Sequence, residues 1–252
     1  MKFNIFRILI FLTSLFSFDY SNASQKEAVL RYDPAGTDTW IPYYIGDKER
    51  PGILGELIPR ILKEANIAGE IINLPAKRTQ VALENGELDF DIISPSWFSN
   101  ENVGEHYVLS NPIMPVSENY IYLPDTKFNK ARLLTEPVGT VRGYYYHDEA
   151  LFQRMDFGSE RAIIQALAKG RIQYAISGDL PALYWAKRLN VNIELGTIHS
   201  DDYLVMRLRA EHQNLLKEIN IAIAFLKQNE EIATIINKYT KHSNLDNAIG
   251  TY

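Results

Sequence analysis

Five histidines, at positions 106, 147, 199, 212 and 242, are the side chains of this sequence best suited to proton transfer or metal ligation near neutral pH. They are scattered and lack ligand spacing, which predicts surface or partly buried residues and no metal centre. No G-x-S-x-G elbow, phosphate-binding loop or H-E-x-x-H helix is present. Cysteine is absent, which excludes disulfides, thiolate zinc sites, cysteine nucleophiles and a lipid attached through an N-terminal cysteine. No catalytic set assembles, and no cofactor is called for. The remaining chemistry is recognition. Aromatic residues make up 12% of the chain, and many sit in Pro-, Gly- or Ser-flanked segments, where they are not readily assigned to a core. Trp40-Ile41-Pro42-Tyr43, Pro95-Ser96-Trp97 and Gly143-Tyr144-Tyr145 are of this kind.

The N-terminus fixes where such recognition takes place. Lys2 and Arg7 give a positive start, and residues 8–18 are apolar but for Thr13, Ser14 and Ser17. Ser21-Asn22-Ala23 then offers small residues at the positions a signal peptidase reads. This is the layout of a secretory leader, too short for a spanning helix, with cleavage after Ala23. No other segment is apolar enough to cross a membrane. A secreted chain with neither lipid nor membrane anchor is retained only between two membranes, so a Gram-negative periplasm is expected. The net charge of −5, evenly spread, leaves no footprint for nucleic acid or an anionic membrane.

Strand patterns at 29–32, 71–74, 90–93, 137–141, 174–177 and 203–208 alternate with helical ones, which argues for parallel βαβ units. Helices are expected over 56–66, with Pro59 in the first turn, and over 79–85, stopped by Gly86. Ser159 should cap a helix closed by Gly170, and Asp179 should open one over 180–189. Two amphipathic helices near the end carry Leu215, Leu216, Ile219, Ile223 and Leu226, then Ile232, Ile235, Ile236 and Tyr239.

Five segments then resemble one family, the periplasmic solute-binding proteins of the amino-acid type, family 3. They are Trp40-Ile41-Pro42-Tyr43, Gly86-Glu87-Leu88-Asp89, Ser110-Asn111-Pro112, Val138-Gly139-Thr140-Val141-Arg142-Gly143 and Ile176-Ser177-Gly178-Asp179-Leu180-Pro181-Ala182. The resemblance implies an α/β, two-lobed, type II periplasmic-binding fold. Each lobe is a mixed sheet flanked by helices, and two crossing strands form the hinge. Lobe one would take residues 24–114 and 202–252, and lobe two residues 115–201.

The same resemblance implies site residues. Asp179 matches the aspartate that takes a ligand ammonium, and it also suits a helix cap. Ser94 and Ser96 match cleft hydroxyls, or serve the turn around Pro95. Tyr144 and Tyr145 stand where the family uses small hydroxyl residues beside the helix start that meets a ligand carboxylate. Trp40 and Trp97 would bracket the cleft or pack beneath loops. Arg78 and Arg142 are cleft cations or solvated surface charges. One departure matters most. The family's carboxylate-gripping arginine should lie between residues 97 and 106, and that interval holds no arginine or lysine, only Glu101 and Glu105 as charged residues beside His106. Either Arg78 or Arg142 replaces the clamp, or the ligand lacks a carboxylate.

The function this implies is capture of a small polar solute, an amino acid or an amine, by a monomer that hands it to the membrane permease of an ABC importer. A receptor serving a sensor kinase or chemoreceptor is the second expectation. A third is an enzyme on the same scaffold, similar to the cyclohexadienyl dehydratases, which also rely on an arginine-held carboxylate.

Overall fold

A computed structural model describes residues 29–34 and 40–240. The leader and its cleavage position lie outside the described residues, as do the expected outer ends of lobe one. Among the described residues no helix is long and apolar enough to cross a membrane.

The first half runs β1 (Val29–Asp33), α1 (Ile53–Glu64), β2 (Ala68–Ile71), α2 (Ala76–Asn85), β3 (Phe90–Ile93) and β4 (Tyr107–Leu109). It continues with β5 (Met114–Tyr122), β6 (Val138–Val141), β7 (Arg154–Phe157), α3 (Glu160–Ala168) and β8 (Tyr174–Gly178). The described residues end with α4 (Asp179–Leu189), β9 (Glu194–Arg209), α5 (Leu216–Gln228) and α6 (Glu231–Thr240).

The helix α1 begins three residues before its expected start. Gly52, at φ 95°, turns the chain, and the free N–H groups of Ile53 and Leu54 donate to the carbonyls of Pro42 and Tyr43 at 3.0 and 2.8 Å. A Cβ at Gly52 would stand 2.7 Å from the Tyr43 carbonyl oxygen, so this approach requires glycine. The earlier start places Pro59 inside the helix and not in its first turn. Pro59 lies on the exposed side, opposite the buried Leu57, Ile58, Ile61 and Leu62. Helix α2 starts three residues before its expected position and ends as expected at Gly86, in the left-handed region, φ 75°.

The strands order as β2-β1-β3-β9-β5-β8-β6-β7, with β4 added on β9. Strands β1, β2 and β3 are parallel, as are β6, β7 and β8. Between these groups lie two antiparallel strands. The end of β9 pairs with β3 from Val205 to Leu208, and its earlier part pairs with β5 from Glu194 to Leu204. One core gathers Leu30, Phe90, Met114, Leu204 and Ile223 around α1, α5 and α6. Across the two crossing strands, Ile121, Val141, Ile163, Ile164 and Ala175 form another, and Tyr120, Val138 and Tyr174 a third beside it. The architecture is the expected two-lobed α/β one.

Five strands depart from the sequence reading. No strand was expected at β4, β5 or β7, β2 covers 68–71 and not 71–74, and β9 is far longer than 203–208. Strand β5 carries Pro115 and the buried polar pair Glu118 and Asn119, which erase its alternation. The first half of β9, Glu194 to Asp202, is mostly polar and exposed or partly so.

Candidate ligand-binding cleft

The loop before α1 holds Trp40 and Tyr43 face to face, with ring centroids 4.2 Å apart, across a cis Ile41–Pro42 bond. Trp97, in the turn after β3, meets the edge of Trp40 at 6.1 Å. From the other lobe, the turn after β6 brings Tyr144, Tyr145 and Tyr146. Gly143 takes φ 85° there, and a Cβ on it would come 2.8 Å from the Lys77 backbone nitrogen at the start of α2. The two lobes therefore touch at this turn. Phe98 and Tyr145 reinforce the contact at 4.3 Å, and the Ser99 hydroxyl donates to the His147 carbonyl at 2.6 Å.

Between the lobes lies a cavity of about 70 Å³. Trp40, Trp97 and Tyr144 to Tyr146 supply its aromatic wall, and Asp33, Asp91, Glu118 and Glu160 its carboxyl groups. Among the described residues the lining includes no lysine, arginine or histidine.

The four acids are held differently. Asp33 Oδ2 accepts from the Thr79 hydroxyl at 2.5 Å and the Leu74 N–H at 3.2 Å. Asp91 binds Arg207 through two bonds of 2.9 and 2.6 Å, and Arg207 is also stacked among Phe98, Tyr107 and Tyr145. Burial alone would lower the Arg207 pKa; the Asp91 carboxylate outweighs it and holds it above the ordinary value. Glu118, 6% exposed, accepts from the Ser200 hydroxyl at 2.7 Å. Glu160 is the first residue of α3, behind the Ser159 cap that accepts from the Ala162 N–H. Burial pushes its carboxyl up to about 7, its own N–H and Tyr144 oppose this, and Glu118 adds to it. The helix start that the resemblance reserves for a ligand carboxylate thus carries a buried carboxyl group of the protein itself.

Of the residues singled out from sequence, Trp40, Trp97, Tyr144 and Tyr145 come together in this lining. Five others stand outside it. Ser94 is fully buried, and its hydroxyl shares a 2.9 Å bond with Ser96. Gly178, not Asp179, is the cap residue of α4; Asp179 is the first helical residue, and its Oδ1 accepts from the Leu180 N–H at 2.7 Å. Burial raises the Asp179 carboxyl, and Asp201 adds to the shift. Arg78 is exposed because α2 buries Thr79, Ala82 and Leu83 instead. Arg142 is exposed in the turn that follows β6, whose four residues are all buried. Neither arginine belongs to the cavity lining.

Sequence reading missed Asp33, Asp91, Glu118, Glu160 and Arg207. Asp91 left a signal, a lone carboxylate in the apolar run Phe90–Ile93. Glu160 looked like an ordinary acid in a first helical turn. The scattered histidines are corrected in one respect. His147 and His199 lie with ring centroids 4.5 Å apart, and with Asp148 they form a cluster that sequence spacing could not show.

The profile of the bacterial extracellular solute-binding proteins, family 3, matches residues 35–242. The chain belongs to that family. This solute-binding protein is similar in fold to three solved structures. An arginine third transport system periplasmic binding protein from Legionella pneumophila shares 18% identity at a TM-score of 0.67, covering 84% of this chain and 99% of that one. A histidine kinase sensor domain with similarity to periplasmic binding proteins shares 17% at 0.72, covering 85% and 97%. The ligand-binding core of GluR0 from Nostoc punctiforme, in complex with L-glutamate, shares 16% at 0.69, covering 84% and 99%. No curated protein sequence matches significantly.

Proposed function

We propose that this solute-binding protein captures a small organic cation, an amine or guanidine lacking a carboxylate, between its lobes. One observation carries the reading. Four carboxyl groups and five aromatic rings line one cavity, and its described lining has no basic residue to hold an anion. Aromatic faces attract cations through their quadrupoles, and carboxylates in a desolvated cleft form charge-assisted bonds to them. Glu118 and Glu160 are the anchors of this reading, with Trp40, Trp97, Tyr144 and Tyr145 as the stacking wall. Buried Trp97 Nε1 has no acceptor among the described residues and is the donor for a hydroxyl or ether oxygen on such a cation.

The wider role is capture in a Gram-negative periplasm after removal of the leader at Ala23, with closure about β5 and β9. The permease of an importer is the first partner. The fold shared with a kinase sensor domain keeps a signalling partner as the second. The absent arginine clamp weighs against the dehydratase reading. The test is thermal unfolding of protein stripped by unfolding and refolding, against amines, guanidines, quaternary amines, amino acids and sugars. A true ligand at a hundred times its Kd should raise Tm by roughly 5–10 °C. A response confined to carboxylates or sugars would end this reading.

Two further outcomes follow from the same cleft. Asp179→Asn keeps the bond to Leu180 and lies outside the lining, so affinity for a cation should change less than about threefold. A tenfold loss by calorimetry would return Asp179 to the site. Glu160 gives a pH dependence. Its carboxyl is raised from 4.5 to about 7, so the unfolded chain ionises first. Stability should therefore fall as pH rises from 4.5 through 7 and level off above. Tyr144, Tyr146 and Glu118 are the titratable groups facing it. Binding of a quaternary amine should strengthen roughly three- to tenfold from pH 6 to 8, as Glu160 becomes charged. Glu160→Gln should flatten both curves, and an unchanged pH profile in that variant would refute the assignment.

A further inference from the structure

We propose that His147, Asp148 and His199 form a binding site for a divalent transition metal beside the cleft, independent of the solute it holds. One potential ligand atom from each residue lies within 4.8 Å of the other two. His199, its side chain 1% exposed, sets Nε2 2.7 Å from Asp148 Oδ1. One further nitrogen points to a ligand. The Nδ1 atom of His147 is buried and has no hydrogen-bond partner among the described residues. A buried imidazole nitrogen left without a partner is costly, and a metal satisfies it. Glu118 Oε2 stands 3.6 Å from His199 Nδ1, just outside the trio.

The donor set decides the class of ion. Two imidazoles and one carboxylate suit zinc and its neighbours, whereas calcium and magnesium prefer oxygen ligands throughout. Ligand atoms about 2.1 Å from a tetrahedral ion stand roughly 3.4 Å apart, so closing the site asks for side-chain movements of about an ångström. The second cluster of this type, Asp89, Glu211 and His212, lacks the same signature. There Asp89 accepts from the Arg31 N–H and faces His212 at 3.0 Å, and exposed Glu211 pairs with Arg209. It is an internal control.

The site is connected to the cleft through the chain itself. His147 and Asp148 follow directly on Tyr144 to Tyr146, and Ser99 of the other lobe donates to the His147 carbonyl. A metal here would fasten the aromatic wall where the lobes touch.

The experiment is calorimetric titration of the chelator-treated, refolded protein with zinc alone, repeated with cobalt to read its visible absorption. One equivalent of zinc should bind with a Kd in the micromolar range or tighter, raise Tm, and give a cobalt spectrum of nitrogen and oxygen ligation. His147→Gln, at a partly buried position, should weaken binding at least tenfold with little loss of fold. Asp148→Asn should act likewise, and His212→Gln should change nothing. The competing occupant is a proton on His199 shared with Asp148. Absence of saturable zinc binding would select it and overturn the proposal. So would zinc binding that survives both His147→Gln and Asp148→Asn, or that is lost with His212→Gln.

Discussion

Glu118→Gln is expected to weaken binding of an organic cation roughly 10- to 100-fold while leaving the fold intact. The variant amide can still accept from the Ser200 hydroxyl, so the buried contact at 2.7 Å survives. What it removes is charge, in a cavity whose described lining offers no other sign. A charge-assisted hydrogen bond contributes about 1.5–3 kcal/mol, and each 1.4 kcal/mol is tenfold in affinity. Calorimetry with the best amine from the thermal screen reads this directly. A change under threefold, with Tm of the free protein unaltered, would remove Glu118 as an anchor.

Arg207→Met should be the most damaging single change to stability. It leaves Asp91, 5% exposed, buried without its partner. Breaking a buried pair in this way costs about 3–5 kcal/mol, because the remaining charge is uncompensated. For a chain of this size that corresponds to a fall in Tm of roughly 6–20 °C. The guanidinium also stacks on Phe98, Tyr107 and Tyr145, and methionine keeps part of that apolar contact. Asp91→Asn with Arg207→Met should therefore recover much of the loss, since both charges go together. If the double variant were no more stable than Arg207→Met alone, the pairing would not be the source of the effect.

These two residues show where the sequence was not readable. The segments that identified the family are local: an aromatic-proline loop, a glycine that stops a helix, a cap before a helix. Each is set by backbone chemistry within a few residues, and α2, β3, α3 and β8 accordingly fall close to where patterning puts them. The aromatic residues Trp40, Trp97, Tyr144 and Tyr145 were legible for the same reason, since their flanks mark loops. Glu118 and Arg207 were not. Both lie in β5 and β9, strands that cross between lobes and pair over long separations. Their partners, Ser200 and Asp91, are 82 and 116 residues away. Arg78 and Arg142 failed in the opposite sense. Their positions beside the expected cleft were legible, but the direction of Arg78 depends on which face α2 buries, and that of Arg142 on how the turn after β6 sits.

The crossing strands also set an order of assembly. Residues from Tyr120 to Leu189 are continuous in sequence and carry the cores of one lobe. The other lobe begins earlier in the chain yet cannot complete its sheet until β9 supplies the strand beside β3. It also lacks α5 and α6, whose Ile219, Ile223 and Tyr239 belong to its core. A nascent chain therefore holds β3 with an unpaired edge while a whole lobe is made after it. The lobe synthesised first is the one finished last, and a chain truncated before β9 would present that open edge as a site for aggregation.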